Sequence, residues 1–379
     1  MKARSVRAWA IVHRWTSLVS TVFLLLLCLT GLPLIFHHEI DELLGYAPEA
    51  QTTVAGKEKA TIDRIAKAAL ASDPGKVLQY IAWDKDEPGI VIAYTNQAVD
   101  GKPDDAVVRA YDAYSAELLG PVGTGPMLAV LKLHTDLFVG QPGKLFLGAM
   151  GFLFLVAIVS GVVLYWPFTR RLNFGVLRQG KSRRILWLDW HNLLGVVTIT
   201  WAFVVGSTGM INTWAEPMLD QWRVHELASM VAAYAGNPQR SHTASLDKIV
   251  ANAKAVDSGL DVAFIAFPGT PFTSARHFAA FMRGDKPLTS RLLRPVLLDG
   301  DTAEVVSTRD LPFYLKALFL SQPLHFGDYG GMPLKIVWAL LDGFTIVVIG
   351  SGLYLYLVKR SKSGQRRDYL SGSAYGVNS

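Results

Sequence analysis

Asp, Glu, Lys and Arg are absent from residues 15–36, 145–169 and 192–215, runs of 22, 25 and 24 residues. A fourth run of 23, residues 336–358, is broken only by Asp342. A helix of about 20 apolar residues crosses the hydrocarbon core of a bilayer, so this pattern predicts four transmembrane helices. Two long segments between them have a different texture. TIDRIAKAAL (61–70) and SLDKIVANAK (245–254) each place a capping hydroxyl before an acid and apolar residues at helical spacing. Short β-rich runs follow: VLQYIAW and GIVIAYT in the first segment, VAFIAF, HFAAFM and RPVLLD in the second. Each insert therefore reads as one helix packed on a small antiparallel sheet, with hairpin turns at AYDAYSAELLG and VLLDGDTAEV.

Composition agrees with a membrane protein. The 379 residues are 51% hydrophobic and 18% charged, with a mean hydropathy of +0.27; soluble domains carry about 25% charged residues. The one cysteine, Cys28, excludes an internal disulfide, a four-thiolate iron–sulfur cluster, a CxxC redox pair and covalent haem attachment through C-x-x-C-H. The first apolar run is too long for a signal peptide and lacks an A-x-A site, although Lys2, Arg4 and Arg7 resemble its basic leader.

Charge sets the orientation. Segments 1–14, 170–184 and 359–379 hold 15 basic residues and one acid, Asp368, whereas the remainder holds 22 basic and 30 acidic residues. Basic residues at membrane boundaries mark the cytoplasmic side. The expected organisation is a cytoplasmic N-terminus (1–8), transmembrane helix 1 (9–38), an external domain (39–133) and a lead-in with transmembrane helix 2 (134–169). A cytoplasmic loop (170–186), helix 3 (187–215), a second external domain (216–324), a lead-in with helix 4 (325–358) and a cytoplasmic tail (359–379) follow. Nucleic acid is not an expected partner, because the positive charge borders the membrane segments rather than forming a groove.

The chain also repeats. An offset of 178 places His13 on His191 and Thr30–Gly31 on Thr208–Gly209. An offset of 191 places His134 on His325, Gly140 on Gly331, Pro142 on Pro333, Lys144 on Lys335, Ser160–Gly161 on Ser351–Gly352 and Tyr165 on Tyr356. Each half reads helix, external domain, helix, and each begins and ends inside. The repeats are therefore parallel, about a pseudo-two-fold axis along the membrane normal.

Four histidines occupy matching places in this repeat: His13 and His191 near the cytoplasmic ends of helices 1 and 3, His134 and His325 before helices 2 and 4 outside. An object on a two-fold axis is flanked by the same residue from each half. Two imidazoles on opposite faces of one haem iron need that arrangement, so the expected ligand pairs are His13 with His191 and His134 with His325. From His13 to Gly31 is 18 residues, about 27 Å of helix, which separates the two sites by nearly the thickness of the core. A single boundary histidine is more simply an interfacial hydrogen-bonding side chain, and zinc or copper is a competing metal, but either would usually want further ligands. Glycines at 148, 151, 161, 195, 206, 209, 343, 350 and 352 suit close helix packing or room for a flat macrocycle.

Other candidates are weaker. His37, His38 and Tyr329 lie where an external substrate could sit, although an interfacial cap is the simpler account of the two histidines. His225, His242 and His277 read as surface residues of the inserts. Asp342, the one acid inside a span, is a candidate for relaying a proton, orienting a ligand or bonding a neighbouring helix. Lys144 and Lys335 could pair with haem propionates or snorkel at helix ends.

The segments HRWTSL…LTGLPLIFHHEI, LKLHTDLFVGQPGK…VSGVVLYW, LDWHNLLG…STG and PLHFGDYGGMPLKIVWALLDGFTIVVIGSGLYLY resemble the PepSY-associated transmembrane helix family over nearly the whole chain. Within that family the arrangement is similar to single-chain ferric-siderophore reductases of the bacterial inner membrane, of the ferrioxamine type. The resemblance implies a membrane α-helical fold, a four-helix bundle of two parallel repeats with two extracytoplasmic α+β PepSY-like domains. It also implies two haem b per chain and delivery of electrons to periplasmic Fe(III)-siderophore. GPVGTGP near Gly120 has the wrong glycine order for G-x-G-x-x-G, so no nicotinamide module is expected.

The leading expectation is a haem-dependent reductase that takes electrons from quinol or a separate reductase. Outer-sphere transfer to Fe(III) held by hard oxygen ligands requires no catalytic side chain. A small permease for siderophore or metal and a non-redox anchor whose external domains bind peptides are the rival classes; both predict a colourless protein.

Overall fold

The computed structural model describes residues 3–50, 58–84, 87–169, 175–234, 243–286 and 290–374, with side chains omitted at 3, 104, 168–169 and 360–374. Lys2 and His242, singled out above, and Arg170 and Arg171 of the basic segment 170–184 lie outside the described residues. The chain forms two compact units: Met1–Ile35, Val130–Thr213 and Leu324–Ser379 make one, Phe36–Ala129 and Trp214–Pro323 the other.

The helices, in chain order, are α1 (Ala3–Ile35), α2 (His37–Leu43), α3 (Ile62–Ser72), α4 (Pro126–Asp136), α5 (Gln141–Thr169) and α6 (Arg183–Asn212). They continue as α7 (Ala215–Trp222), α8 (Ala228–Val231), α9 (Leu246–Val256), α10 (Phe313–Phe326) and α11 (Gly331–Ala374). Four stretches, Arg4–Ile35, Gln141–Pro167, Arg183–Asn212 and Gly331–Lys359, are long and apolar enough to cross a membrane. In the first unit α1 packs on α5 and α11, and α6 packs on the same two helices. Large apolar side chains such as Val22 and Trp166 remain exposed on its outside, as expected of a surface that faces lipid.

The second unit is built on strands β1 (Val77–Trp83), β2 (Ile90–Asn96), β3 (Val107–Asp112), β4 (Leu118–Pro121), β5 (Leu260–Ala266), β6 (His277–Gly284), β7 (Arg294–Asp299) and β8 (Val305–Thr308). The expectation of two small sheets is corrected here. All eight strands form one antiparallel sheet in the order β4-β3-β2-β1-β5-β6-β7-β8. The join is β1 against β5, with Tyr80 opposite Ala266, Ile81 opposite Ile265 and Ala82 opposite Phe264. Separate sheets would each expose an edge with unpaired N–H and C=O groups; the join removes both edges. Ile65 and Ala69 of α3 and Ile249 and Ala253 of α9 bury against Ile81, Tyr111, Ile265 and Leu298 to form the core.

The helix starts are joined as well. Thr61 caps α3 as its sequence suggests, accepting from the Arg64 amide, but Ser245 does not cap α9. Instead the Asp63 carboxylate accepts from the Leu246 amide at 2.8 Å and from the Ser245 hydroxyl, while Asp247 accepts from the amides of Ile62 at 2.9 Å and Asp63 at 3.2 Å. Each carboxylate thus satisfies the orphan amides of the other helix, where the helix dipole favours negative charge.

Two further expectations need correction. His277 is fully buried on β6 and bonds Ser274 Oγ at 2.6 Å through Nδ1; successive residues from His277 to Met282 are all buried, so both faces of β6 are covered there. Helix 1 ends at Ile35 rather than at residue 38, and His37 and His38 begin α2.

Candidate functional site

All four matched histidines lie in the helical unit, and each ring rests on a helix other than its own. His13 of α1 rests on α5: its Nδ1 is 2.9 Å from the Ala157 carbonyl oxygen and 3.2 Å from Ser160 Oγ. His191 of α6 rests on α11, with Nδ1 3.0 Å from the Val348 carbonyl and 3.1 Å from Ser351 Oγ. His325, at the end of α10, meets α6, 3.0 Å from the Val205 carbonyl and 3.5 Å from Thr208 Oγ1. His134, at the end of α4, meets α1, with Nδ1 2.8 Å from Thr30 Oγ1 and a bond to the Leu27 backbone.

One local pattern therefore builds four seats: a backbone carbonyl at position i, which also accepts from its own helix's hydroxyl, that hydroxyl at i+3 and a glycine at i+4, all on one helical face. The glycines are Gly161, Gly352, Gly209 and Gly31. A Cβ at these positions would stand 3.2, 3.3, 2.8 and 3.3 Å from Cε1 of His13, His191, His325 and His134 respectively. The seats also choose the tautomer. Ser160, Thr208 and Thr30 donate their hydroxyl protons to their own helix one turn back, each at 2.7 Å, and Ser351 donates to Val348 at 2.9 Å. A carbonyl oxygen can only accept, so Nδ1 carries the proton and Nε2 keeps its lone pair. A metal-ligating histidine needs this state, with its second nitrogen tied to a backbone or side-chain acceptor.

The rings of His134 and His325 face each other with centroids 6.3 Å apart and planes 57° apart. An imidazole nitrogen lies about 1.1 Å from its ring centre and bonds a metal at about 2.0 Å, so two rings on opposite sides of one metal stand roughly 6.2 Å apart. The separation and the donor set fit a two-imidazole centre. Among the described residues, no group of three or more His, Cys, Asp or Glu could hold a metal ion, which disfavours structural zinc.

The segments that present His134 and His325 carry unusual backbone. After α4 the backbone takes left-handed φ at Leu137 (56°) and Phe138 (60°), an uncommon state for side chains with a Cβ. Asp136 stabilises this turn by accepting from the Phe138 amide at 2.8 Å. In α10, Pro323 sits two residues before His325, and Gly327 follows at φ 70°. Near His191, the Arg178 guanidinium grips buried Asp189 at 2.6 and 3.1 Å, and the Arg178 amide adds a bond of 3.0 Å. This fork holds the preceding loop to the first turns of α6. Neither the hydroxyl and glycine pairing with specific rings nor the Arg178–Asp189 fork was foreseen, although the recurrent Ser/Thr-Gly dipeptides were visible.

Lys144 and Lys335 lie half-buried near the starts of α5 and α11. Tyr329 belongs to the helical unit and packs edge-on against Trp338 at 6.3 Å. His37 and His38 are exposed in the sheet unit, and His38 Nε2 is 4.0 Å from Glu87. Asp342 is buried on α11 and hydrogen-bonds Cys28 of α1.

A Pseudomonas aeruginosa protein described only as uncharacterized is 25% identical over 263 residues, 63% of this chain. The match spans 65% of that protein's length. The family described as the PepSY-associated TM region matches residues 10–359. From near its start through the last apolar helix, this chain belongs to the PepSY-associated transmembrane family.

Proposed function

We propose that the protein is a di-haem reductase of the bacterial inner membrane that passes electrons outward to Fe(III)-siderophore. The observation that carries this reading is the His134–His325 pair: facing rings 6.3 Å apart, each with its proton held on Nδ1. His13 and His191 have the same kind of seat and would hold the second group. When bound, a haem b supplies one-electron chemistry. The chain's own part is to orient four imidazoles by fixed hydrogen bonds and to keep water away from them within the apolar helices.

The repeat reading has support of its own. Seat residues obey the offsets of 178 (Leu27, Thr30 and Gly31 to Val205, Thr208 and Gly209) and 191 (Ala157, Ser160 and Gly161 to Val348, Ser351 and Gly352). The β1–β5 register is symmetric about the Ile81–Ile265 pair, and Asp63 and Asp247 exchange caps at the same spacing of 184. Self-complementary contacts of this kind are what a two-fold axis produces. The basic segments would then be cytoplasmic and the joined sheet periplasmic.

The first test is the visible spectrum of detergent-purified protein from haem-replete cells, before and after dithionite. The expected result is b-type absorbance with two haems per chain; a colourless protein rejects the reading. Vesicles that reduce an Fe(III) chelate, with the product trapped by an Fe(II)-specific dye, separate a reductase from a cytochrome with another acceptor.

A further inference from the structure

Between the two histidine pairs the helical unit contains a polar site for which ligation has no use. Asp342 is 5% exposed, in a span where no other acid occurs. Its carboxyl bonds Cys28 of α1, yet Oδ2 has no partner among the described residues. One turn earlier on the same face of α11, the Trp338 indole N–H is also buried and unpartnered, and so is that of Trp201 on α6, whose ring meets Trp338 edge-on at 6.5 Å. Buried polar atoms left unpaired cost about 1–3 kcal/mol each, so a stripe of them requires an explanation.

Helix packing does not explain it. Under the repeat, Asp342 corresponds to Gly151 and Cys28 to Gly206. There a Cβ on Gly151 would lie 3.9 Å from the Gly206 carbonyl, so the equivalent crossing closes with two glycines and no polar group. The acid and thiol are additions in one half of the chain only.

The surroundings narrow the role. Helix α11 packs on α1 and α6. In residues 15–35 and 192–212, Cys28 is the one titratable side chain, and neither stretch holds Lys, Arg, Asp or Glu. The rings of His134 and His325 are seated on α1 and α6, and α11 itself carries Lys335 two turns before Asp342. Among the described residues Cys28 is the partner of Asp342, and no ion pair balances its charge. An electron entering such a low-dielectric region is opposed unless a positive charge enters with it.

We propose that Asp342 is a redox-linked proton site, and that it takes up one proton when the helical unit takes up one electron. This rests on the haem reading. An electron from a quinol or a separate reductase converts one Fe(III) to Fe(II), and one proton from water adds to the Asp342 carboxylate to give the neutral acid. When the Fe(III) chelate accepts the electron, the proton leaves, and net charge in the core is unchanged throughout. Cys28 donates its S–H to the carboxyl and holds it facing inward.

The single cysteine provides the assay, because one S–H stretch in the infrared spectrum of the full chain reports the acceptor of that bond. Oxidised and dithionite-reduced protein are compared. The expected result is a shift of the S–H band on reduction, as its acceptor changes from carboxylate to acid. In Asp342→Asn the band no longer shifts, and the midpoint potential loses its dependence on pH. Cys28→Ser removes the band while leaving the visible spectrum intact, which secures the assignment. A pigmented wild-type protein whose S–H band does not move on reduction overturns the proposal, and this measurement stands even if the Asn variant fails to fold. A protein without pigment instead removes the haem reading beneath it.

Discussion

A methyl group added at Gly209 probes the imidazole seats directly. Its Cβ would stand 2.8 Å from Cε1 and 3.2 Å from Nδ1 of His325, whereas carbon atoms pack at about 3.5 Å or more. The ring must retreat by roughly 0.7 Å, which stretches its 3.0 Å bond to the Val205 carbonyl past the ordinary range of about 2.7–3.2 Å. Overpacking costs about 1–3 kcal/mol and the weakened bond about 1 kcal/mol, while alanine returns up to about 1 kcal/mol of helix propensity. The net is about 2 kcal/mol against the seated ring, roughly a 30-fold loss in an equilibrium that depends on it. Gly343 is the control, since a Cβ there meets nothing within 4 Å. Gly209→Ala should lower haem content per chain and the thermal midpoint, and Gly343→Ala should leave both unchanged or slightly raised. Gly31, Gly161 and Gly352, with 3.2–3.3 Å of clearance, should show effects between these. Equal haem content and equal midpoints for Gly209→Ala and Gly343→Ala would refute the seat as a determinant of ligation.

Replacing His13 or His191 by Ala should remove one haem of two and leave the other, as read by absorbance per chain; retention of both would move the ligands elsewhere. Asp247→Ala leaves the Ile62 and Asp63 amides without their cap, at a cost of about 1–2 kcal/mol in a thermal melt, and adding Asp63→Ala should give less than the sum in a double-mutant cycle. Burial pushes the Asp299 carboxyl up, but the Asp301 amide, the Arg276 guanidinium and the Thr302 amide outweigh it and hold the group at about 2. Because the folded value lies below the unfolded one, its stabilising contribution is complete above about pH 4 and is lost as the pH falls toward about 2. Circular dichroism of the full chain against pH should show this loss, and Asp299→Asn should reduce the pH dependence in that window.

The four spans were readable because lipid imposes one strong rule, about 20 residues without charge, which the runs at 15–36, 145–169 and 192–215 obey. Histidine equivalence was readable because residue types recur at constant offsets of 178 and 191. The purpose of Gly161, Gly209 and Gly352 was not. A glycine in an apolar helix admits a neighbouring helix, a cofactor or a ring, and composition cannot distinguish these. Gly31 drew no notice as a small residue, yet it seats His134. His277 was misread because a histidine near the end of one short run gives no sign that its strand lies inside a wider sheet. The hydroxyls of Thr61 and Ser245 suggested local caps, but Ser245 provides none, and Asp63 and Asp247 cap each other's helix across 183 to 185 residues.

Sequence alone determined the four long apolar helices, the one helix and the strands it named in each insert, and the matching of histidines, since these depend on hydrophobic period and on residue identity at fixed spacing; the short helices α2, α4, α7, α8 and α10 were not among them. Tertiary structure decided which surfaces meet. It joined two predicted sheets into one through β1 and β5, lodged each imidazole on a helix other than its own, and placed Cys28 against Asp342. Such contacts link residues far apart in the chain, and they depend on helix rotation and strand register, which no local pattern encodes.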